Sequence, residues 1–259
     1  MSLDLVHRTD GDPDAPPVLL INSLGAELGM WEEQLPALGD RMQVLRYNQR
    51  GHGGSPAPSG PYSIEELASD ALELLDGNGI ERASLVGCSL GGMVGAWIAI
   101  HAPQRVEKLV LCSTSAHVPP PSRWLERAEA VREGGMEAVT DATLERWFSD
   151  EFRAAVGARL EALREGLLGT DPDAYASCCE GIAELDLREG LDAIGAPTLV
   201  ITAADDLSIP AEHGERLAEA IPGAELLAIE RGRHLLNVEL PERVNDSLLA
   251  HLLGELGSA

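Results

Sequence analysis

The stretch Ala83-Ser-Leu-Val-Gly87-Cys-Ser89-Leu-Gly91-Gly92 decides how the chain folds. Its apolar first half predicts a short buried strand, and the Ala- and Ile-rich residues that follow predict a helix. Between them, Gly87 and Gly91 would let two backbone segments pack closely around Ser89 at the apex of a tight turn. Ser89 is therefore the candidate nucleophile of a strand–turn–helix unit.

The spacing G-x-S-x-G in this position resembles the nucleophile elbow of α/β-hydrolases. In that fold the N–H group after the serine points to the place where an oxyanion forms, so Leu90 is the first expected oxyanion donor. The alternative is a glycine-rich turn that only opens a helix. A carboxylate and then a histidine after the serine in the chain would favour the nucleophile elbow over this alternative.

Composition limits the possible partners. The 259 residues are enough to bury a full sheet between two layers of helices. A net charge of −24, from 43 acidic and 19 basic residues, argues against nucleic acid or an anionic membrane as a partner. A small anionic substrate would need a local positive site. Nothing in the sequence indicates the oligomeric state.

The start of the chain and the cysteines point to a protein without a leader or metal. Met1-Ser-Leu-Asp lacks the basic and apolar regions of a signal peptide, and no apolar run approaches the ~18 residues of a membrane span. We therefore expect a cytoplasmic location. The four cysteines have no metal-ligand spacing, so we expect reduced structural thiols and no metal site.

The N-terminal third predicts the strands beside the elbow. Leu3 to His7 alternates like an edge strand, and Pro17 to Asn22 reads as a buried strand. That strand ends in Asn22-Ser23-Leu24-Gly25, where α/β-hydrolases carry the second oxyanion donor, and by its position we assign this role to Leu24. Trp31 to Leu38 is predicted as a helix that Pro36 enters or breaks.

A glycine-rich loop, Asn48 to Ser55, contains His52, the first rival for the catalytic histidine. The loop lacks the spacing of a nucleotide-binding motif, which excludes a phosphate site. His52 precedes the serine, against the expected chain order. We expect it to brace the loop through a hydrogen bond.

The longest gap between predicted strands lies between the apolar runs 107–112 and 197–202. Some eighty residues separate them, far more than the ~2 to 6 of an ordinary connection. Their helical periodicity predicts an inserted cap over residues 117–190. The core would then comprise residues 1–116 and 191–259, as a mostly parallel sheet flanked by helices in an α/β-hydrolase fold.

Ser89 needs a base within hydrogen-bond reach, oriented by a carboxylate. Asp206 and His234 follow it in the expected order, each after a predicted strand. Asp205 is a rival acid, but related hydrolases carry the acid four residues before a proline, here Pro210. The rival bases, His213 and His251, fall within predicted helices and read as surface residues.

With these residues the chain resembles the 3-oxoadipate enol-lactone hydrolases, a family of the α/β-hydrolase fold. The resemblance spans nearly the whole chain. It is carried by Asn22-Ser-Leu-Gly-Ala-Glu-Leu-Gly-Met-Trp31, Arg46-Tyr-Asn-Gln-Arg-Gly-His-Gly53, Gly87-Cys-Ser-Leu-Gly-Gly-Met93, Val131-Arg-Glu-Gly-Gly-Met136, Glu145-Arg-Trp-Phe148 and His234-Leu-Leu-Asn-Val-Glu239. Asn48-Gln49 departs from the Asp-Thr usual in the family, and Cys88 and Leu90 from the usual Leu and Met.

The resemblance implies opening of an anionic lactone in aromatic catabolism, through an acyl-enzyme on Ser89 and without a cofactor. The alternatives are another esterase, lactonase or cofactor-free perhydrolase acting on neutral esters, and a non-catalytic small-molecule receptor on the same fold. A carboxylate-bearing substrate would need a cation, and arginine suits this task. We expect the cap residues Trp124, Arg127, Arg132, Arg146 and Trp147 to line the substrate site, although packing and surface ion pairs are the common uses of such residues.

Overall fold

The computed structural model describes residues 3–254 of the chain. Residues 1–2 and 255–259 lie outside that range. The two ends of the predicted core, and the first two residues of the start that we expect to lack a signal peptide, are therefore not described. One sheet runs through the described part in the order β1-β3-β2-β4-β5-β6-β7, and within it β1 alone runs antiparallel to its neighbour. The strands are β1 (His7–Gly11), β2 (Pro17–Ile21), β3 (Gln43–Tyr47), β4 (Ala83–Cys88), β5 (Val106–Cys112), β6 (Thr198–Ala203) and β7 (Glu225–Ile229).

Helices cover both faces of this sheet and form the cap. They are α1 (Leu35–Leu38), α2 (Ile64–Gly77), α3 (Leu90–His101), α4 (Ser122–Gly134), α5 (Glu137–Trp147), α6 (Asp150–Ala155), α7 (Gly157–Leu168), α8 (Pro172–Glu184), α9 (Ala211–Ala220), α10 (Leu236–Glu239) and α11 (Pro241–Leu253). Helices α4–α8 lie between β5 and β6. The predicted fold class, a mostly parallel sheet flanked by helices with an inserted helical cap, is confirmed.

The central strands are apolar because helices cover the sheet on both sides. Every residue of β4 and β6 is buried, whereas exposed residues occur in β1 and β7 at the two sheet edges. The parallel strands β2, β4, β6 and β7 end at the same edge of the sheet. The loops after these four strands therefore converge, which places the predicted functional residues together.

Two elements differ from the prediction. The first strand runs over His7–Gly11 rather than Leu3 to His7, because these are the residues that pair with β3. The pairing brings Asp10 Oδ2 within 2.7 Å of the Arg46 Nε atom. The helix predicted over Trp31 to Leu38 is divided into a 3₁₀ turn, Leu28–Trp31, and the short α1. Proline is tolerated in the first turn of a helix but not in its interior, so α1 begins just before Pro36.

The described helices include none that combines the length and the apolar character needed to span a bilayer.

Candidate active site

Ser89 occupies a strained turn between β4 and α3. Its φ of 54° and ψ of −115° are unusual for a residue with a side chain. The turn is held by the Ser89 N–H, which donates to the Cys112 carbonyl oxygen at 2.9 Å, and by the Thr114 hydroxyl, which donates to the Ser89 carbonyl oxygen at 2.6 Å. Hydrogen bonds on both sides of the residue thus keep the strained conformation in place.

Close backbone contacts explain the glycines of the elbow. A Cβ atom on Gly87 would lie 2.2 Å from the Gly91 carbonyl oxygen, and one on Gly91 would lie 2.1 Å from the carbonyl oxygen of Ile21 at the end of β2. No side chain fits at these distances. The missing Cβ atoms therefore allow the start of α3 to pack against the loop that contains Leu24.

The two predicted oxyanion donors lie beside this contact. Leu90 is the first residue of α3, and the first N–H groups of a helix have no acceptor within it. Leu24 lines the same cavity as Ser89. This arrangement fits a site with two N–H donors on one side of the serine.

His52 has the bracing position expected of it. Its Nε2 atom accepts a hydrogen bond from the Gly25 N–H at 2.9 Å, and Nδ1 lies 2.9 Å from the Arg50 carbonyl oxygen. Burial lowers the pKa of His52 to about 4, so the ring is neutral and Nδ1 carries the proton. His52 therefore fixes the residue after Leu24.

The residues that depart from the enol-lactonase pattern also support the Leu24 loop. The Gln49 side-chain amide donates to the Asn22 carbonyl oxygen at 2.7 Å. Asn48 accepts the Leu28 N–H at 2.7 Å and donates to the Gly53 carbonyl oxygen at 2.9 Å. Amides at these two positions thus connect the Leu24 loop to the neighbouring glycine-rich loop.

Asp206 and His234 form the expected pair after β6 and β7. The His234 Nδ1 atom lies 2.8 Å from Asp206 Oδ2, and both side chains are buried. The other carboxylate oxygen, Oδ1, accepts the Ser208 and Ile209 N–H groups at 2.7 and 2.9 Å. Three donors fix the carboxylate, which in turn orients the imidazole. His234 lines the cavity with Ser89.

The rival residues lie elsewhere. Asp205 is exposed, next to the buried Asp206. The His213 Nδ1 atom contacts the Ser115 hydroxyl at 2.8 Å, and His251 is in α11. Both histidines are half-buried and lie in helices, as predicted. Neither lines the cavity of Ser89.

The cap closes the cavity with aromatic and basic side chains. Trp124 and Trp147 line it as predicted, together with Arg127 and Arg146. The free volume between the lining side chains is about 20 Å³, close to the space that one water molecule needs. Binding of any larger substrate therefore requires these side chains or the cap to move.

Arg132 lies outside the cavity, contrary to expectation. It pairs with Glu180 of α8 through two hydrogen bonds of 2.6 and 2.9 Å. Arg123 lines the cavity instead, and it was not among the predicted residues. Successive helix residues are about 100° apart, so Arg123 and Arg127 share a face while Arg132 lies about 140° from Arg127. The spacing on α4 was the signal that could have identified Arg123.

Two further residues of the cavity were not predicted from the sequence. Tyr175 of α8 and Thr143 of α5 are buried beside the arginines, and no short motif marks either of them. Burial raises the pKa of Tyr175, which keeps its hydroxyl neutral. Within residues 3–254, no three His, Cys, Asp or Glu side chains are grouped so that they could hold a metal ion. The four cysteines are free and buried.

Comparison with known proteins identifies the family of the chain. A family model described as the alpha/beta hydrolase fold matches residues 16–241. The 3-oxoadipate enol-lactonase 2 of Acinetobacter baylyi is 37% identical over 246 residues, which cover 95% of this chain and 92% of that protein. RutD of Stutzerimonas stutzeri, a proposed carbamate hydrolase, is 34% identical over 252 residues and 95% of both chains.

Among solved structures, the enol-lactonase from Burkholderia xenovorans LB400 matches with a TM-score of 0.95 and 39% identity, over 97% of both chains. Its similarity extends through the cap as well as the core. The chain belongs to the hydrolases of the α/β-hydrolase fold, and enol-lactonases are among its near relatives.

Proposed function

We propose that this chain is a serine hydrolase that opens the lactone ring of 3-oxoadipate enol-lactone to give 3-oxoadipate, a step of aromatic-compound catabolism in the β-ketoadipate pathway. The observation that carries the proposal is the set of arginines facing Ser89. In a protein of net charge −24, Arg123, Arg127 and Arg146 line one cavity with the candidate nucleophile. An anionic lactone complements such a cavity, whereas a neutral ester gains nothing from it.

The proposed reaction is acyl transfer through a covalent intermediate. His234 takes the Ser89 proton, and the Ser89 Oγ atom attacks the lactone carbonyl carbon. The N–H groups of Leu24 and Leu90 hold the oxyanion that forms. Asp206 keeps the His234 Nδ1–H in place and stabilises the imidazolium.

Collapse of this intermediate breaks the ring C–O bond, and the leaving group is an enolate, which leaves more readily than an alkoxide. The enolate oxygen takes the proton from the His234 imidazolium, which returns His234 to its neutral form. His234 then activates water, which hydrolyses the acyl-enzyme on Ser89. The enol then takes a proton on carbon and loses its O–H proton to become a ketone, which makes the step effectively irreversible. These residues complete the chemistry with acid, base and hydrogen-bond donors of the chain itself.

A substrate panel tests the proposal. Purified enzyme is assayed with 3-oxoadipate enol-lactone, with an uncharged lactone of the same ring size, and with p-nitrophenyl acetate. We expect kcat/KM for the enol-lactone to exceed that for the neutral lactone by at least about tenfold, the effect of one charge-assisted hydrogen bond. Equal values for the two lactones, or no turnover of the enol-lactone, would reject it.

Carbamate hydrolysis is the second candidate, because RutD is nearly as similar to this chain as the enol-lactonase. The panel therefore includes a carbamate ester. Turnover of the carbamate with a higher kcat/KM than the enol-lactone would favour this second function.

A further inference from the structure

Three arginines, Arg123, Arg127 and Arg146, line the cavity of Ser89. Neither Arg123, Arg127 nor Arg146 has a carboxylate within ion-pair distance in the part of the chain that the structure describes. Arg146 donates to the Thr143 hydroxyl at 3.0 Å, and the other two lie over the Trp124 ring. Ion pairs with carboxylates are instead formed by Arg46, Arg50, Arg82, Arg105, Arg132, Arg153, Arg159, Arg164 and Arg188.

Arginines outside the cavity, such as Arg8 and Arg243, also form no ion pair among the described residues, but Arg123, Arg127 and Arg146 lie together in one cavity. They do so in a protein whose acidic residues outnumber its basic ones by 43 to 19. Burial and then the charges of Arg127 and Arg123 lower the pKa of Arg146 to about 10, which leaves it charged at neutral pH. Like charges held close together repel one another, and Asp206 and Glu145 offset this repulsion from beyond ion-pair distance. An anionic ligand would remove this repulsion.

The three guanidinium groups occupy two levels of the cavity. Arg127 and Arg146 are half-buried, and the charges of both act on the buried Tyr175. Arg123 is exposed at the mouth, on the side of Asp206, whose charge acts on it. The Arg123 and Arg127 guanidinium carbons lie 5.9 and 5.3 Å from the centre of the Trp124 ring. Trp124 thus lies between the outer cation, Arg123, and the inner pair, Arg127 and Arg146.

The number of charges exceeds what the lactone needs. An enol-lactone that bears one carboxylate requires one anion position. Hydrolysis adds water across the acyl C–O bond, and the acid that forms loses a proton, so the product carries one more negative charge than the substrate. A carboxylate-bearing lactone therefore always yields a dicarboxylate.

We infer that the cavity has two anion positions, an inner one at Arg127 and Arg146 and an outer one at Arg123, and that it binds dicarboxylates, the reaction product included, more tightly than monocarboxylates. The inference rests on the proposed function for the identity of the cavity as the substrate site. Its consequence is inhibition by product. The inner position holds the carboxylate that the substrate brings, and the outer position supports the second anionic group.

Competition with a neutral substrate tests the inference without the enol-lactone. Hydrolysis of p-nitrophenyl acetate is measured in the presence of adipate or hexanoate, which share a six-carbon chain and differ by one carboxylate. We expect both to compete, with an inhibition constant for adipate about tenfold lower, as one further charge-assisted contact would give. Equal inhibition constants, or no inhibition by adipate, would overturn the inference.

Variants assign the two positions. Arg123→Met should raise the inhibition constant of adipate about tenfold and leave that of hexanoate within about twofold, because only the outer contact is lost. Arg146→Met should weaken both inhibitors. Arg132→Met, a change on the same helix as Arg123 but outside the cavity, is the matched control and should change neither. A parallel loss of both inhibitors in Arg123→Met would overturn the assignment of an outer position.

The outcome is separable from that of the proposed function. Preference for adipate in an enzyme that does not open the enol-lactone would reject only the proposed substrate. Rapid opening of the enol-lactone with no preference for adipate would reject only the second anion position.

Discussion

The core side and the cap side of the cavity hold their polar groups in different ways. On the core side, Asp206 accepts three hydrogen bonds and orients His234, while His52 fixes Gly25 beside Leu24. On the cap side, the contacts of the three arginines within residues 3–254 are with the Thr143 hydroxyl and the Trp124 ring, and no carboxylate lies within ion-pair distance. A preorganised core serves a reaction whose geometry is constant. Unpaired cations on the cap leave a charge requirement that the substrate has to meet.

This contrast predicts that core substitutions abolish turnover of every substrate, whereas cap substitutions discriminate between charged and neutral substrates.

Ser89→Ala should have the largest effect. We expect kcat to fall roughly 10⁵-fold on all substrates, since the nucleophile is lost. The side chain contributes little packing, so the melting temperature should stay within a few degrees of the wild-type value. Steady-state assays and thermal unfolding check the two statements. Retention of more than about 1% of wild-type turnover would remove Ser89 from the nucleophile role.

Asp206→Asn should lower kcat by about 10³- to 10⁴-fold, because an amide at this position no longer holds the His234 Nδ1–H. The adjacent Asp205→Asn is the matched control, and its effect should be less than about threefold because Asp205 is exposed. Measurement of kcat for the two variants on p-nitrophenyl acetate shows which aspartate orients His234. Similar losses in both would show that the acid has been assigned to the wrong residue.

Gly91→Ala tests the contact between the elbow and the oxyanion loop. The new Cβ atom would lie 2.1 Å from the Ile21 carbonyl oxygen, so α3 or β2 has to shift. We expect a loss of unfolding free energy of about 1 to 3 kcal/mol, as for overpacked cores. Gly195→Ala, where a Cβ atom meets nothing within 4 Å, is the control. Denaturant unfolding of both variants measures the difference, and equal stabilities would contradict the contact.

The sequence identified the core side of the site better than the cap side. Ser89, Asp206 and His234 each follow an apolar strand, and local motifs with a fixed chain order mark such positions. The bracing role of His52 could be inferred by exclusion from the same order. Its partner Gly25 could not, because the contact depends on how two loops pack.

On the cap, helical periodicity indicated which residues share a face but not which face meets the cavity. Arg132 and Arg127 both follow Trp124 on one helix, and only the packing of α4 against α8 turns Arg132 toward Glu180. Arg123 was overlooked although it lies four residues before Arg127. The division of the predicted Trp31 to Leu38 helix had a local cause in Pro36, which lies in the first turn of α1.

The central claim is that the core performs the reaction and the cap selects for anionic substrates. Its most direct test is kcat/KM of Arg146→Met on 3-oxoadipate enol-lactone and on p-nitrophenyl acetate, with Arg132→Met as the control. Loss of a charge-assisted hydrogen bond of about 1.5 to 3 kcal/mol should lower kcat/KM for the enol-lactone roughly 10- to 150-fold. The value for p-nitrophenyl acetate, which has no carboxylate, should stay within about twofold, and Arg132→Met should change neither. A parallel loss on both substrates, or no loss on either, would contradict the account.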